Sequence, residues 1–339
     1  MTSPLRSLDI SVLMPVYIRE PTRKIIDLLD RAVESVAEQK YPGEAEILIV
    51  DDGSSTPVQE LLAGHERRIP LRFVRYVRNN GLVYALNAGL NAARYGLIAR
   101  MDADDCWAAH KIEQQIDRLV ADPDLTVVGT GMRRVFEDGS PTEDHIRPDG
   151  WSPLLKFFVD CGCPFPHASI LARSDIYRLL GGYSHSERVS HCEDYALWGI
   201  WLRFFKPAMI ELPLHIYTVS ADSVSSRHLA QQQKATGRIN SAFASLRVVD
   251  TVPDEMSSLA DILGISLLQA GVLCYRLWHL KIATCLPEAA LAPLQKMLTD
   301  RDVASSPSGG IVAVSRILGA FGSVEDRGGV PIQVRPRLT

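Results

Sequence analysis

Hydrophobic positions change their period several times along this chain, and each change marks an element. Ile10 to Val16 is an unbroken apolar run with several β-branched residues, the pattern of a strand covered on both faces. Pro15 is expected to help end it. From Thr22 the period becomes helical: Ile25, Leu28, Leu29, Ala32, Val33 and Val36 share one face until Pro42-Gly43. Glu46 to Val50 is a second strand that runs into Asp51-Asp52-Gly53-Ser54-Ser55. A helix is expected from there to about Glu66, then a strand over Leu71 to Val77. Asn79-Asn80-Gly81 reads as a turn opening a helix, with Leu82, Ala85, Leu86, Gly89, Leu90 and Ala93 on one face. The next apolar run, from Leu97, ends in Asp102-Ala103-Asp104-Asp105. A helix with Ile112, Ile116, Leu119 and Val120 inward follows, and Leu125 to Phe136 reads as a strand.

Strands alternating with helices of this length predict an α/β fold with a mostly parallel sheet and right-handed crossovers. The second half is less regular. Asp160 to Pro166, rich in Cys, Gly and Pro, reads as a loop, His167 to Ala172 as a short strand, and Arg173 to Leu180 as a helix ending at Gly181-Gly182. Glu193-Asp194 precede an apolar helix over Tyr195 to Phe205. Met209 to Leu212 and His215 to Val219 read as two short closing strands. Beyond about Ser226 the period is helical, and Ile262 to Tyr275 is nearly all apolar. That run is too short to span a bilayer. Burial in a C-terminal helical subdomain and contact with a membrane surface are both open readings of it. The tail, from 323, is expected to be poorly ordered.

Composition narrows the classes. With 339 residues, 46% hydrophobic and 22% charged, the chain has the make-up of a globular protein able to bury a large core. A net charge of −4 without a long basic tract argues against a nucleic-acid partner. Met1 to Asp9 carries no apolar signal core, and six irregularly spaced cysteines suggest no disulfide framework, so a cytoplasmic setting is expected. Cys161 and Cys163 are too close in sequence for a zinc site and read as structural.

The chemistry is concentrated where strands end. Unpaired buried carboxylates are costly, so the run at 102–105 belongs just past its strand, at the sheet edge where open α/β folds bind ligands. There a carboxylate can hold a divalent cation, and the cation phosphates. A capped turn before the next helix is the plainer alternative. In a parallel sheet the turns after the first, second and fourth strands converge on one edge, which brings Tyr17, Asp52 and Asp104 toward one cleft.

The order of motifs resembles family 2 glycosyltransferases of the GT-A (Rossmann-like) fold. The matching pieces are Ser11-Val12-Leu13-Met14-Pro15-Val16-Tyr17, Ile49-Val50-Asp51-Asp52-Gly53-Ser54, and Asn80-Gly81 with Ala85 and Asn87. Met101-Asp102-Ala103-Asp104-Asp105, Gly182-Tyr183 and Glu193-Asp194-Tyr195 complete the set. The resemblance covers residues 8–225, and implies a nucleotide-binding half over 8–136, an acceptor half over 137–225, and a helical region over 226–322. It implies that Pro15, Val16 and Tyr17 pack on the nucleotide base and that Asp52, beside Asp51, hydrogen-bonds it. Asn80, Gly81, Asp102 and Ala103 fall in the same nucleotide-sugar site, with Asp104 as ligand of Mn²⁺ or Mg²⁺. Asp194 matches the base of inverting members, with Glu193 as its rival.

The resemblance further implies a nucleotide-sugar donor, with a UDP-sugar favoured, and a saccharide or lipid-linked acceptor. The setting would be surface polysaccharide or glycolipid assembly, in the cytoplasm or on the inner membrane face. Plainer readings stand beside these roles. Tyr17 can be a core aromatic, Asp51 and Asp52 an Asx-capped turn, and Asp194 a helix cap. His167 belongs either beside the acceptor or in the core, and Arg19 either on phosphate or on the surface.

Two departures stand out. The family's Tyr-Arg-x-His is here Tyr217-Thr218-Val219-Ser220; the spacing does not mark His215 or His228 as a substitute, and the Asn after Tyr17 is replaced by Ile18-Arg19. A nucleotidyltransferase is disfavoured because Met14 to Thr22 has no glycine for a phosphate loop. A non-catalytic nucleotide-sugar binder stays open.

Overall fold

The computed structural model describes residues 7–64, 67–219, 229–243 and 252–284. The first half alternates as the pattern predicts: β1 (Ile10–Val16), α1 (Arg23–Ala37), β2 (Ala45–Asp52), α2 (Val58–Leu61), β3 (Leu71–Tyr76), α3 (Leu82–Ala92), β4 (Leu97–Arg100). Then come β5 (Cys106–Trp107), α4 (Lys111–Ala121), β6 (Val127–Phe136), β7 (Glu143–His145), α5 (Trp151–Asp160), β8 (Leu171–Arg173), α6 (Ser174–Leu180), α7 (Glu193–Phe204) and β9 (Pro207–Val219). Three further helices follow: α8 (Leu229–Ala242), α9 (Val252–Leu263) and α10 (Leu267–Thr284).

The strands form one sheet in the order β3-β2-β1-β4-β8-β6-β9-β5, with β7 on β6. The sheet is mixed. β1, β2, β3 and β4 run parallel, as do β6 and β9, whereas β8 runs antiparallel between β4 and β6. Both faces are covered, which is why β1 and β2 are buried at every position. Ile10, Val12, Met14 and Val16 point into a core with Leu29, Val33 and Ile112, whereas Leu13 points with Leu48 and Val50 into a core shared with Leu86, Trp198 and Phe204.

Several expectations are corrected by the packing. Pro15 lies inside β1, because β4 leaves the ladder after pairing Leu13 with Arg100, so the side of Pro15 that lacks an N–H meets no strand. α2 is a single turn. Val120 is 58% exposed, since a helix against a sheet buries only the stripe of Ile112, Ile116 and Leu119. His167–Ser169 is a 3₁₀ turn and only Leu171–Arg173 is strand. The two expected closing strands are one, β9, interrupted by a register shift around Pro213 where Glu211 and Leu212 turn outward. The apolar run 262–275 breaks at Gly264, between α9 and α10. No element was signalled at β5, β7 or α5; Leu154, Leu155 and Phe158 of α5 do carry helical spacing.

Buried Leu268, Ala270, Val272, Cys274 and Tyr275 of α10 join the core that α7 occupies, and a Cβ added at Gly271 would lie 2.2 Å from the Phe204 carbonyl oxygen. The apolar face of α10 is thus covered by protein. No helix among the described residues is long and apolar enough to cross a membrane. Ser220, His228 and the tail lie outside the described residues.

Candidate active site

Parallel pairing carries the loops after β1, β2 and β4 to the same edge of the sheet, because Val16 pairs with Asp51 and Leu13 with Arg100. Each candidate residue takes its place from that edge. Pro15 and Val16 are buried and supply backbone, while Tyr17 is 50% exposed, so it is not a core aromatic. Arg19 is exposed.

Asp51 and Asp52 are both buried and both committed to backbone. Asp51 accepts from the Ser54 N–H at 2.8 Å and the Val58 N–H at 3.1 Å, closing the turn that starts α2. The turn passes through Gly53 at φ +81, where a Cβ would sit 2.4 Å from the Arg78 carbonyl carbon. Asp52 reaches across to the start of α3. It accepts from the Asn80 N–H at 3.0 and 3.1 Å and from the Gly81 N–H at 2.8 Å. The capped-turn reading therefore describes Asp51, and Asp52 holds Asn80 and Gly81 in place on the same edge.

The acidic run divides its work. Asp102 is ion-paired with Arg100, a buried side chain at the end of β4. Asp105 is buried completely: Oδ1 accepts from the Thr218 N–H at 2.9 Å, and Oδ2 lies 3.0 Å from His215 Nε2. That contact follows from β5, which pairs Trp107 with His215. Burial pushes Asp105 up and His215 down to about 3, with Lys111 adding to the latter. Among the described residues neither Asp105 Oδ2 nor His215 Nδ1 makes a hydrogen bond. Asp104 is exposed, yet desolvation and then the charges of Asp102 and Asp105 push its carboxyl up to about 7. Ala103, between them, is half-buried.

Glu193 and Asp194 occupy the first turn of α7, after an N-cap, Cys192, that gives no side-chain hydrogen bond. Asp194 Oδ1 accepts from the Tyr195 N–H at 2.7 Å, and Oδ2 lies 3.6 Å from the Cys163 thiol. Burial raises both acids, Glu193 to about 7, with Asp194 adding to the latter shift. Glu193 is the more buried and Asp194 the more open to solvent. His167 Nε2 meets the Tyr183 hydroxyl at 2.8 Å, and Tyr183 meets Tyr177 at 3.2 Å. Burial holds His167 neutral, and it is partly exposed.

Arg100 ties these pieces together. Its charge opposes the upward shifts of Asp104, Asp105, Glu193 and Asp194. The Arg100 N–H donates to the Ile170 carbonyl at 3.2 Å, directly after the turn 167–169, and Asp194 meets Cys163 on the segment leading into that turn, so the chain before β8 links the two acidic motifs. No hydrogen bond joins Tyr17 or Asp52 to the run 102–105 among the described residues. Sequence patterning does not single out Arg100, Cys163 or the Asp105–His215 pair. The available signal is an arginine closing an apolar strand directly before acids.

No cluster of three or more His, Cys, Asp or Glu side chains able to hold a metal occurs among the described residues. That arrangement still suits Mg²⁺ or Mn²⁺ shared with a diphosphate, which needs only one or two carboxylates plus phosphate oxygens. Asp104, exposed and repelled by two neighbouring acids, fits that role.

Comparison with known proteins identifies the family and the fold. The chain matches the family described as Glycosyl transferase family 2 over residues 11–178. EpsE of Bacillus subtilis is 32% identical over 219 residues, 63% of this chain and 73% of the relative. The O-antigen biosynthesis glycosyltransferase WbnJ of Escherichia coli is 30% identical over 196 residues, 57% of this chain and 72% of the relative. Among solved structures, S. aureus TarS 1–349 in complex with UDP covers 92% of this chain and 91% of its own, with a TM-score of 0.52 at 14% identity, a likeness of fold. The mannosyltransferase PcManGT from Pyrobaculum calidifontis, solved with GDP-Man and Mn²⁺, has a TM-score of 0.49 at 16% identity, covering 93% of this chain and 90% of its own. With its GT-A-like sheet and these relatives, the chain is a glycosyltransferase and belongs to glycosyl transferase family 2.

Proposed function

We propose that this glycosyltransferase moves a hexose from a nucleotide-diphosphate donor, a UDP-sugar in the first instance, to an acceptor hydroxyl with inversion. The observation that carries the reading is the sheet edge that collects the loops after β1, β2 and β4, with the exposed acid Asp104 on it and the half-buried Asp194 at the start of α7. Surface polysaccharide assembly is the setting that WbnJ's description as an O-antigen biosynthesis glycosyltransferase supports, and a saccharide or lipid-linked acceptor is part of this proposal.

In this reading Tyr17 and the loop fixed by Asp52 receive the nucleotide. Asp104 would hold the divalent cation. A bound Mn²⁺ or Mg²⁺ neutralises charge that develops on the departing diphosphate. Asp194 takes the proton of the attacking hydroxyl. Its greater exposure favours it over Glu193, and a raised pKa makes it a stronger base than a free carboxylate. The positive end of α7 steadies its ionised form.

Calorimetric titration of UDP, GDP and dTDP, each with and without Mn²⁺, into wild type and Asp104→Ala tests the reading. One nucleotide is expected to bind in a Mn²⁺-dependent manner that the substitution removes. Absence of binding by all three under both conditions overturns the donor site.

A further inference from the structure

Cys163 lies in the loop between α5 and the turn at 167–169, half-buried, with its thiol toward the start of α7. The sulfur is 3.6 Å from Asp194 Oδ2 and 3.2 Å from the Phe165 carbonyl oxygen. Packing sets this placement. Phe165 is buried and meets Trp198 edge to face, with ring centroids 5.0 Å apart. Trp198 comes four residues after Asp194, so the two share one face of α7. The loop is therefore seated along that face, Cys163 against its first turn and Phe165 against the next. A Cβ added at Gly129 of β6 would lie 2.4 Å from the Phe165 ring, so the seat has little slack.

Asp194 is held at both oxygens. Oδ1 accepts from the Tyr195 N–H at 2.7 Å, and Oδ2 faces the thiol. Two such contacts fix the plane of a carboxylate, and an oxygen with two lone pairs keeps room for one further proton. A thiol is a weak donor. It can orient Oδ2 while removing little of the basicity that burial confers.

We propose that Cys163 is a positioning residue for the base: its thiol donates to Asp194 Oδ2 and, with the Tyr195 N–H, fixes the carboxylate that receives the acceptor's proton. This rests on the reading of Asp194 as base and adds the residue that aims it. The other charged and titratable groups around the pair are Glu193 and Cys192 at the start of α7, Arg100 of β4, Tyr177 of α6, Tyr183 just beyond it, and Arg147 toward the thiol. All of them stay in place when Cys163 alone is substituted, so a difference between variants reads the thiol.

The test follows the Asp194 carboxyl by NMR in the full chain, with carbon-13 in the aspartate side chains. Its signal is identified by its disappearance in Asp194→Asn. Wild type, Cys163→Ala and Cys163→Ser are titrated with pH, and thermal melts are taken of each. A donor favours the ionised acid. The carboxyl is therefore expected to titrate higher in Cys163→Ala than in wild type, and Cys163→Ser, which keeps a donor, is expected to bring it back to the wild-type position or below. Loss of packing alone lowers the melting temperature without this rescue.

A Cys163→Ala carboxyl that titrates with wild type or below it overturns the proposal and leaves the thiol to the Phe165 carbonyl. Cys163→Ser that titrates with Cys163→Ala overturns it as well. Unfolding of both variants assigns Cys163 to the fold and does the same; if one alone folds, its own shift decides. The base reading fails separately. Equal loss of nucleotide binding and kcat in Asp194→Asn removes the base whatever the titration shows, and this inference with it.

Discussion

Asp52 offers the sharpest separation of a structural from a ligand-contacting role. It is 3% exposed and holds the Asn80 and Gly81 N–H groups at 2.8 to 3.1 Å. Hydrogen bonds to a charged acceptor contribute about 1.5–3 kcal/mol each. Asn80 is exposed, so water recovers part of that when the carboxylate is removed. Asp52→Ala is then expected to destabilise the protein by about 2 kcal/mol. Asp52→Asn is expected to cost as much or more. Both oxygens now accept from N–H groups, so an amide nitrogen in either position faces a donor. Urea unfolding, read as a shift in midpoint at constant slope, measures both. Nucleotide affinity should fall with them, because the loop that starts α3 loses its anchor. Asp52→Asn within about 0.5 kcal/mol of wild type, with nucleotide binding abolished, would refute the anchoring argument and make Asp52 a ligand contact alone.

Other outcomes follow from the same geometry. Asp194→Asn is expected to lower kcat by about 10²–10⁴ while nucleotide binding by calorimetry stays unchanged; equal loss of both would remove it as base. Because burial raises the pKa of Asp194, the acid limb of kcat/KM should lie above the ordinary carboxylate range, with activity rising as the base loses its proton. A limb at or below that range contradicts the assignment. Gly182→Ala should destabilise by about 1–3 kcal/mol, because φ is +76 and the new Cβ would lie 2.4 Å from Asn87 Oδ1, which receives the Tyr183 N–H. Gly271→Ala forces α10 away from the Phe204 carbonyl, and thermal melts should report a loss of about 1–3 kcal/mol. A neutral result would show that α10 does not pack on α7 in this way.

By itself the sequence determined the alternation of strands and helices through β4, apart from the length of α2, together with the family and the acidic motifs at 51–52, 102–105 and 193–194. These are local matters: hydrophobic period follows from which faces are buried, and motif order survives in one dimension. Val120 shows the limit, since helical spacing names a stripe but not its width. Pro15 shows another, because whether a proline ends a strand depends on where the neighbouring strand departs. Only tertiary structure turned Asp52 toward Asn80 and Gly81, paired Asp105 with His215 through β5, and brought Cys163 to Asp194. Those contacts join residues from 28 to more than 100 positions apart. Their energies depend on burial and on which partner is already taken, and neither is written in a residue's immediate neighbours.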